Sequence, residues 1–431
     1  MKVLILTYGS RGDVEPYVAL GLGLEAHGHD VVLATSRRFQ GFVEAHGLRF
    51  GPLSDALLAI IDTDQGKALL EKGGGLFQVV KSSLEMWRQL KPLQQALIWE
   101  CWEVARAFDP EIIVYHSKAA AAPSIADKLG CACVLATPVP MQVPTRAFRF
   151  AILPRVPRLP LGGWFNTASY GLINAVVKRV FGPLLQDFRG SIDLPAIQSY
   201  DPLKRGDGSD IPVLHGFSEV VLPRPEEWPE SAHVTGYWFL PEDGDWAPPE
   251  ALATFLAAGP PPVYVGFGSM SVRQPETLTR LSVEALAAAG VRGILASGWG
   301  GLRADDLPEN VLLIKEAPHH WLFPRMAAIV HHGGAGTTAA ALRAGKPSLV
   351  VPFFGDQPFW GARVHAIGAG PKPIPRGKLS AGRLAAAMRE MTRSQEMQAR
   401  AAEIGALISK EDGVAVARGL IESAGAGPGR R

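Results

Sequence analysis

Ala327–Gln357, AAIVHHGGAGTTAAALRAGKPSLVVPFFGDQ, is the stretch that decides the fold. Its apolar run Ala327–Val330 predicts a buried strand, followed by a His-His-Gly-Gly-Ala-Gly-Thr-Thr turn. A helix over Thr338–Arg343, a second strand over Pro347–Phe354 and a polar Asp356-Gln357 tip complete the unit. Glycines let the backbone approach a ligand, and Thr337 and Thr338 can open a helix whose unpaired N–H groups favour an anion. His332 adds an imidazole donor at the same place. Consecutive parallel strands end on one edge of their sheet, which puts Asp356 and Gln357 beside that anion site. An anion cradle next to a carboxylate and an amide suits a nucleotide-activated sugar.

A chain of 431 residues is too long for one ordinary core and predicts two domains of about 200 residues each. Lys+Arg 43 against Asp+Glu 41 leaves a net charge of +2, which argues against a nucleic-acid partner. Cys101, Cys131 and Cys133 are too few for a disulfide scaffold and read as core residues. The opening MKVLILTYGSRGD is too short an apolar run for a signal peptide, and no 18-residue apolar span exists. A soluble cytoplasmic enzyme with no obligate protein partner is the expectation, with contact to the inner face of a membrane left open.

Strand and helix patterns alternate through the first third. Val3–Thr7, Asp30–Ser36, Ile112–His116 and Cys131–Ala136 read as strands, and Pro16–His27 and Ala119–Leu129 as helices, the first opened by its proline. Leu53–Phe108 reads as largely helical, whereas Pro138–Leu161 is too proline-rich for regular helix. The alternation predicts a doubly wound parallel sheet. Pro241–Pro262 carries six prolines and marks an interdomain connection. After it, VYVGFGSM (Val263–Met270) echoes VLILTYGS (Val3–Ser10), as though a second sheet began in the same way. The expected division is therefore 1–240, a 241–262 linker, 263–408, and a terminal 409–431 segment whose tail AGAGPGRR is expected to be disordered.

The central stretch resembles the donor-binding signature of the family 1 glycosyltransferases of the GT-B fold, in its bacterial natural-product and sterol glucosyltransferase branch. The resemblance extends to GSRGDVEPYVAL at the start, GFSEVVLPRP…HVTGYW, VYVGFGSM, EAPHHWLFPR and FFGDQ, six pieces in family order over nearly the whole chain. It implies an α/β fold of two facing Rossmann-like domains with a cleft between them, the last helix packing back on the first domain. It further implies inverting transfer of a hexose from a UDP- or dTDP-linked sugar, UDP-glucose first, to a hydroxyl of a hydrophobic acceptor.

Such a transfer needs a base for the acceptor hydroxyl, donors for the leaving diphosphate, and a grip on the sugar. Asp13, after the first strand in Gly9-Ser10-Arg11-Gly12-Asp13, is the base candidate; the family's branch carries an aspartate there, while an acid at this place also reads as a helix cap. His116 ends a strand of the same domain, as an assistant to Asp13 or as a structural histidine. The resemblance assigns the diphosphate to His332, Gly334, Ala335, Gly336 and Thr337, with Gly268, Ser269, Ser10, Arg11 and Gly12 nearby. Trp299 and Ala317-Pro318 would hold the base, with Glu316 standing where relatives carry a tryptophan, and Asp356 and Gln357 would hold the sugar. No Asp-x-Asp motif stands at a strand end, so no metal and no cofactor are expected beyond the nucleotide-sugar co-substrate. Met86, Met141, Phe148 and Trp164 are the acceptor candidates, in a region rich in large apolar residues. Arg146, Arg149, Arg155 and Arg158, interleaved with Phe148 and Phe150, also suit an anionic membrane surface.

Two other readings compete. Gly334-Ala335-Gly336-Thr337-Thr338-Ala339 formally satisfies G-x-G-x-x-A with Asp356 twenty residues after Gly336, as in a dinucleotide-dependent oxidoreductase. Against it, such a fingerprint opens a domain, the paired histidines have no role in it, and GSRGD lacks it. A non-catalytic sugar- or lipid-binding relative is the other reading, opposed by the presence of Asp13, His332 and Asp356-Gln357.

Overall fold

A computed structural model describes residues 1–62, 76–153, 162–197, 200–242, 246–268, 275–297 and 307–426; in the helix from Leu76 to Phe108 side chains are described from residue 90. The chain divides into two compact units. One comprises Met1–Phe217, Arg224–Leu240 and the C-terminal Asp412–Arg431, the other Ser218–Pro223 and Pro241–Glu411. The proline-rich segment Pro241–Pro262 thus belongs to the second unit, where its helix Glu250–Ala257 buries Leu252 beside Tyr264 and Ile294.

The first unit holds seven parallel strands: β1 (Lys2–Leu6), β2 (Asp30–Ser36), β3 (Arg49–Leu53), β4 (Ile112–Tyr115), β5 (Ala132–Thr137), β6 (Val213–His215) and β7 (Ala232–Val234). Their order is β3-β2-β1-β4-β5-β6-β7. Strands β1 and β4 are continuous apolar runs because helices cover both faces of a parallel sheet. Five further strands build the second sheet: β8 (Val263–Gly266), β9 (Gly293–Ala296), β10 (Val311–Ile314), β11 (Ala328–His331) and β12 (Ser348–Val350), ordered β10-β9-β8-β11-β12. The two-residue period of a strand sorts its side chains between two cores. Val263, Val265, Ala328 and Val330 pack with Leu286 and Met388, while Tyr264 and Ile329 pack with Leu322 and Phe323 on the other face.

Seven helices flank the site or carry its residues: α1 (Arg11–Glu25), α2 (Leu76–Phe108), α3 (Ala122–Leu129), α4 (Gly162–Ser191), α5 (Ala335–Arg343), α6 (Gln357–Ala366) and α7 (Gly413–Gly425). Helix α7 buries Ala417 and Ile421 in the first unit's core. Three helix starts differ from the sequence expectation. α3 begins at Ala122, not Ala119, after a turn closed by the Ala122 N–H on the Ala119 carbonyl. α1 begins at Arg11, not Pro16, because the Ser10 N–H bonds to the Asp13 carboxylate and nucleates the turn upstream of the proline. Pro16 then sits inside the helix, where its missing N–H leaves the Gly12 carbonyl without its usual partner. α5 begins at Ala335, not Thr338; extended Gly334 is its N-cap, and the Thr338 hydroxyl turns back onto the Gly334 carbonyl at 2.9 Å. Strand β12 is also shorter than Pro347–Phe354, since the Phe353 and Phe354 N–H groups go to the Gln357 side chain.

In each sheet the chain winds outward one way from the first strand and then the other, so the order reverses between β1 and β4 and again between β8 and β11. Ligands of doubly wound sheets bind beyond the carboxyl ends of the strands at such a reversal. Each unit therefore has one privileged edge.

Candidate active site

At the first reversal, register places Leu6 beside Tyr115, so the loop from β1 into α1 runs alongside His116-Ser117-Lys118. Two hydrogen bonds knit this edge: the His116 N–H reaches the Leu6 carbonyl at 2.8 Å, and the Lys118 N–H donates to His116 Nδ1 at 3.2 Å. Asp13, third residue of α1, turns its carboxylate into this corner. Its Oδ2 accepts from the Ser10 N–H at 2.7 Å and hydroxyl at 3.0 Å; its Oδ1 lies 2.8 Å from Lys118 Nζ and 3.6 Å from His116 Nε2.

Burial alone would raise the Asp13 pKa, but the Lys118 ammonium, the His116 ring and the Ser10 N–H outweigh it and hold the carboxyl below the usual range. Burial, reinforced by Lys118 and opposed by Asp13, takes His116 down to about 4. His116 is therefore neutral at pH 7, and the charge that holds Asp13 ionised there comes from Lys118. With Nδ1 accepting a backbone N–H, the neutral ring carries its proton on Nε2, toward Asp13. Tyr17 lies edge-on to His116 at 6.0 Å and fixes its plane.

Asp13 thus caps α1 and also stands at the ligand edge. Ser10, Arg11 and Gly12 are exposed beside it, but the Arg11 guanidinium is turned onto Glu15 at 2.8 Å and over the Phe42 ring. Lys118 is the residue that sequence reasoning missed. The available signal was a cation three positions beyond the end of the apolar, parallel strand β4.

The second reversal pairs Gly266 with His331. Both following loops are glycine-built: Gly268 has φ +64° and Gly333 φ +93°. A Cβ on Gly333 would come within 2.5 Å of Val350 and 3.1 Å of the Gln357 carbonyl, so only glycine fits there. His332 lies between two glycines: a Cβ on Gly268 would meet its Cε1 at 2.9 Å, and one on Gly334 its Nε2 at 2.5 Å. Its Nδ1 is buried without a hydrogen-bond partner, and desolvation lowers its pKa to about 4. A buried bare lone pair costs less than a buried bare N–H, which places the proton on Nε2, the side of Gly334. Gly334 offers no side chain to cap α5, so the first-turn N–H groups of Ala335, Gly336 and Thr337 have no intrahelical acceptor. Imidazole N–H and helix N-terminus converge on one place, an anion-binding arrangement. His331, fully buried with Nδ1 accepting the Gly333 N–H at 3.1 Å, is part of the strand end instead.

Asp356 and Gln357 stand at the start of α6, beyond neighbouring β12. The Gln357 side-chain Oε1 accepts from the Phe353 and Phe354 N–H groups at 2.7 and 3.1 Å, so it shapes the loop. Asp356 Oδ2 accepts from the Trp360 indole at 2.8 Å. Half-buried Ala317-Pro318 follow β10 at the same edge of the sheet. Ser269 and Trp299 lie outside the described residues, as do Arg155, Arg158 and the end of the tail.

Among the acceptor candidates, Met86 is on α2 with its side chain outside the description, and Met141 is half-buried. Phe148 packs against Trp228 at 6.4 Å. Its loop is fastened to α4 by Asn166 donating to the Arg146 carbonyl at 2.8 Å and by the Phe150 N–H donating to Ser169 at 2.9 Å. Trp164, at the exposed start of α4, therefore lies next to the Arg146–Phe150 loop.

Residues 3–135 match the glycosyltransferase family 28 N-terminal domain, and residues 300–421 match the erythromycin biosynthesis protein CIII-like C-terminal domain. A sterol 3-beta-glucosyltransferase of Arabidopsis thaliana is 36% identical over 425 residues, which is 97% of this chain and 67% of that protein. Another, from Aspergillus fumigatus, is 36% identical over 97% of this chain, but the chain spans only 29% of that protein's length. Among solved structures, CalG4, the calicheamicin glycosyltransferase, superposes with a TM-score of 0.72 at 18% identity, covering 98% of both chains. VinC, a glycosyltransferase in complex with dTDP, gives 0.67 at 19% identity, covering 99% of both. The fold is GT-B.

Proposed function

The chain belongs to the family 1 glycosyltransferases of the GT-B fold that include the sterol 3-beta-glucosyltransferases, and on that premise we propose that it moves a hexose, glucose from UDP-glucose first, onto the hydroxyl of a sterol or similar apolar acceptor. The observation that carries this reading is the second-unit edge. There the Nε2–H of neutral His332 and the uncapped N-terminus of α5 supply fixed donors for a leaving diphosphate, with Asp356 and Gln357 next to them for the sugar.

In this reading Asp13 takes the proton of the acceptor hydroxyl as its oxygen attacks the anomeric carbon. The bond from that carbon to the diphosphate breaks, its electron pair leaves with the nucleotide, and the anomeric centre inverts. A carboxylate held below its ordinary pKa is a weak base toward an alcohol. Proton transfer then comes late, and departure of the diphosphate carries much of the barrier, which makes the donors at His332 and α5 the larger contribution. Dipole and imidazole do here what a divalent cation does elsewhere, and we assign no metal to the reaction.

The acceptor's apolar character fits the first unit. Exposed Trp164, Phe165, Leu172 and Val176 make one face of α4, with Ile152 on the adjoining loop. From Lys128 to Gln186 the sequence holds no Asp or Glu but includes Arg146, Arg149, Arg155, Arg158, Lys178 and Arg179. An apolar face in a cationic, acid-free stretch suits an anionic lipid surface from which such an acceptor would be drawn. No helix among the described residues is long and apolar enough to cross a membrane.

The direct test incubates the protein with UDP-glucose or dTDP-glucose and a 3-hydroxysterol and follows a hexosyl-sterol by mass spectrometry. No product with either donor, and no nucleotide release above background, would refute the assignment. A tightly bound nucleotide at about 100 times its Kd should add about 2.7 kcal/mol of stability, so the better thermal stabiliser names the base. Sedimentation with vesicles tests the membrane face: binding to anionic but not zwitterionic vesicles, weakened by Trp164→Ser with Leu172→Ser, is expected.

A further inference from the structure

Three donors already hold the Asp13 carboxylate. A carboxylate offers about four lone-pair positions. Two on Oδ2 meet the Ser10 N–H and hydroxyl, and Oδ1 meets Lys118 Nζ at 2.8 Å, with His116 Nε2 at 3.6 Å, beyond hydrogen-bond range. The titratable groups acting on it are Lys118 and His116 from the loop after β4 and Tyr17 from its own helix. Tyr17 is fully buried and donates its hydroxyl to the Ala136 carbonyl. His116 is buried and its ring is pinned through Nδ1. Ser10 N–H belongs to the helix turn. Lys118 differs: its side chain is 48% exposed and its ammonium rides on a flexible four-carbon stem.

We propose that Lys118 is a positioning residue for the reaction: it fixes the Asp13 carboxylate in its ionised form and yields Oδ1 to the incoming acceptor hydroxyl. This rests on the reading of Asp13 as the base. The chemistry is a trade between two needs. An ammonium on Oδ1 keeps the base deprotonated in mild acid, yet the same contact competes for the oxygen that must take the proton. A mobile lysine meets both, because it can swing into solvent when the hydroxyl arrives and return when the product leaves. Gly9 belongs to the same device. With φ +145° and no side chain, it leaves open the space that Asp13 Oδ2 and Lys118 Nζ approach; a Cβ there would overlap both atoms.

The test is the pH profile of kcat/KM, whose acid limb reports the free enzyme's base. Lys118→Met should move that limb up by about one pH unit, a tenfold gain in proton affinity. Lys118→Arg should keep it near the wild-type position, and KM for the nucleotide sugar should stay unchanged in both. A limb that stays put in Lys118→Met overturns the proposal. If that variant does not fold, Lys118→Gln is read in its place, and NMR titration of the Asp13 carboxyl in the intact protein gives the same quantity without turnover. Asp13→Asn separates the two ideas. Full activity in that variant removes the base itself, whereas an inactive Asp13→Asn with an unmoved Lys118→Met limb removes only the role of Lys118.

Discussion

Replacing Gly334 by alanine should damage the donor site more than the fold. At φ −60° and ψ 145° the backbone accepts alanine without strain. The new Cβ, however, would stand 2.5 Å from His332 Nε2, nearly 1 Å inside ordinary contact. The ring cannot retreat freely, because its Cε1 already faces the backbone of Gly268 at the distance that excludes a Cβ there. Overpacking of this kind costs about 1–3 kcal/mol, which in a unit of this size lowers Tm by several degrees. Displacing a catalytic donor by about 1 Å costs on the order of 10²-fold in rate. Calorimetry with UDP and steady-state kinetics should therefore show nucleotide binding weakened at least tenfold and turnover down about a hundredfold in a protein that still folds. Gly336→Ala is the contrast. A Cβ there meets nothing within 4 Å, and the position lies in the first turn of α5, so stability should rise by about 0.5–1 kcal/mol. Wild-type nucleotide affinity and turnover in Gly334→Ala would refute the claim that His332 is gripped between two glycines and acts on the diphosphate.

Asp13→Asn should lower turnover by about 10²–10⁴-fold while changing nucleotide affinity and thermal unfolding little, since the amide oxygen can still accept from the Ser10 N–H. His332→Ala should weaken UDP or dTDP binding as well as turnover, since the diphosphate is held before and after transfer, and unaltered calorimetric affinity would contradict its placement. Acid should destabilise the protein. His116 and His332 are lowered to about 4 and His215 to about 3 by burial, all below the unfolded value, so the unfolded chain takes up their protons first. Stability is then complete above about pH 6.5 and falls as pH drops toward 4, by about 1.4 kcal/mol per unit for each histidine; chemical denaturation at pH 7.5 and 5.5 reads the slope, and a flat profile would refute their buried neutrality. Activity should survive EDTA, and a complete loss restored only by Mg²⁺ or Mn²⁺ would contradict the metal-free assignment.

Legibility in the sequence tracks the range of the interactions involved. Apolar runs such as Val3–Leu6, Ile112–Tyr115 and Ala328–Val330 announce buried parallel strands because a strand covered on both faces has no polar side to show. The glycines after His331 announce a close backbone approach for a similarly local reason. Helix starts were harder to place. The bond between Ser10 and Asp13 outweighs the proline at 16, and the carbonyl of Gly334 recruits Thr338, so α1 and α5 each begin upstream of where residue preference alone puts them.

Two parallel sheets, the glycine-built turn at His332 and the candidacy of Asp13 are legible in the residues alone, since each rests on positions close together in the chain. Which side chains stand together depends on strand pairing. Lys118 meets Asp13 across 105 positions of chain only because β4 pairs with β1. The His332 ring faces Gly268 as well as its neighbour Gly334 only because β8 and β11 lie side by side. Charge, occupancy and protonation at a site depend on distances of a few ångströms between segments remote in sequence, and strand order sets those distances.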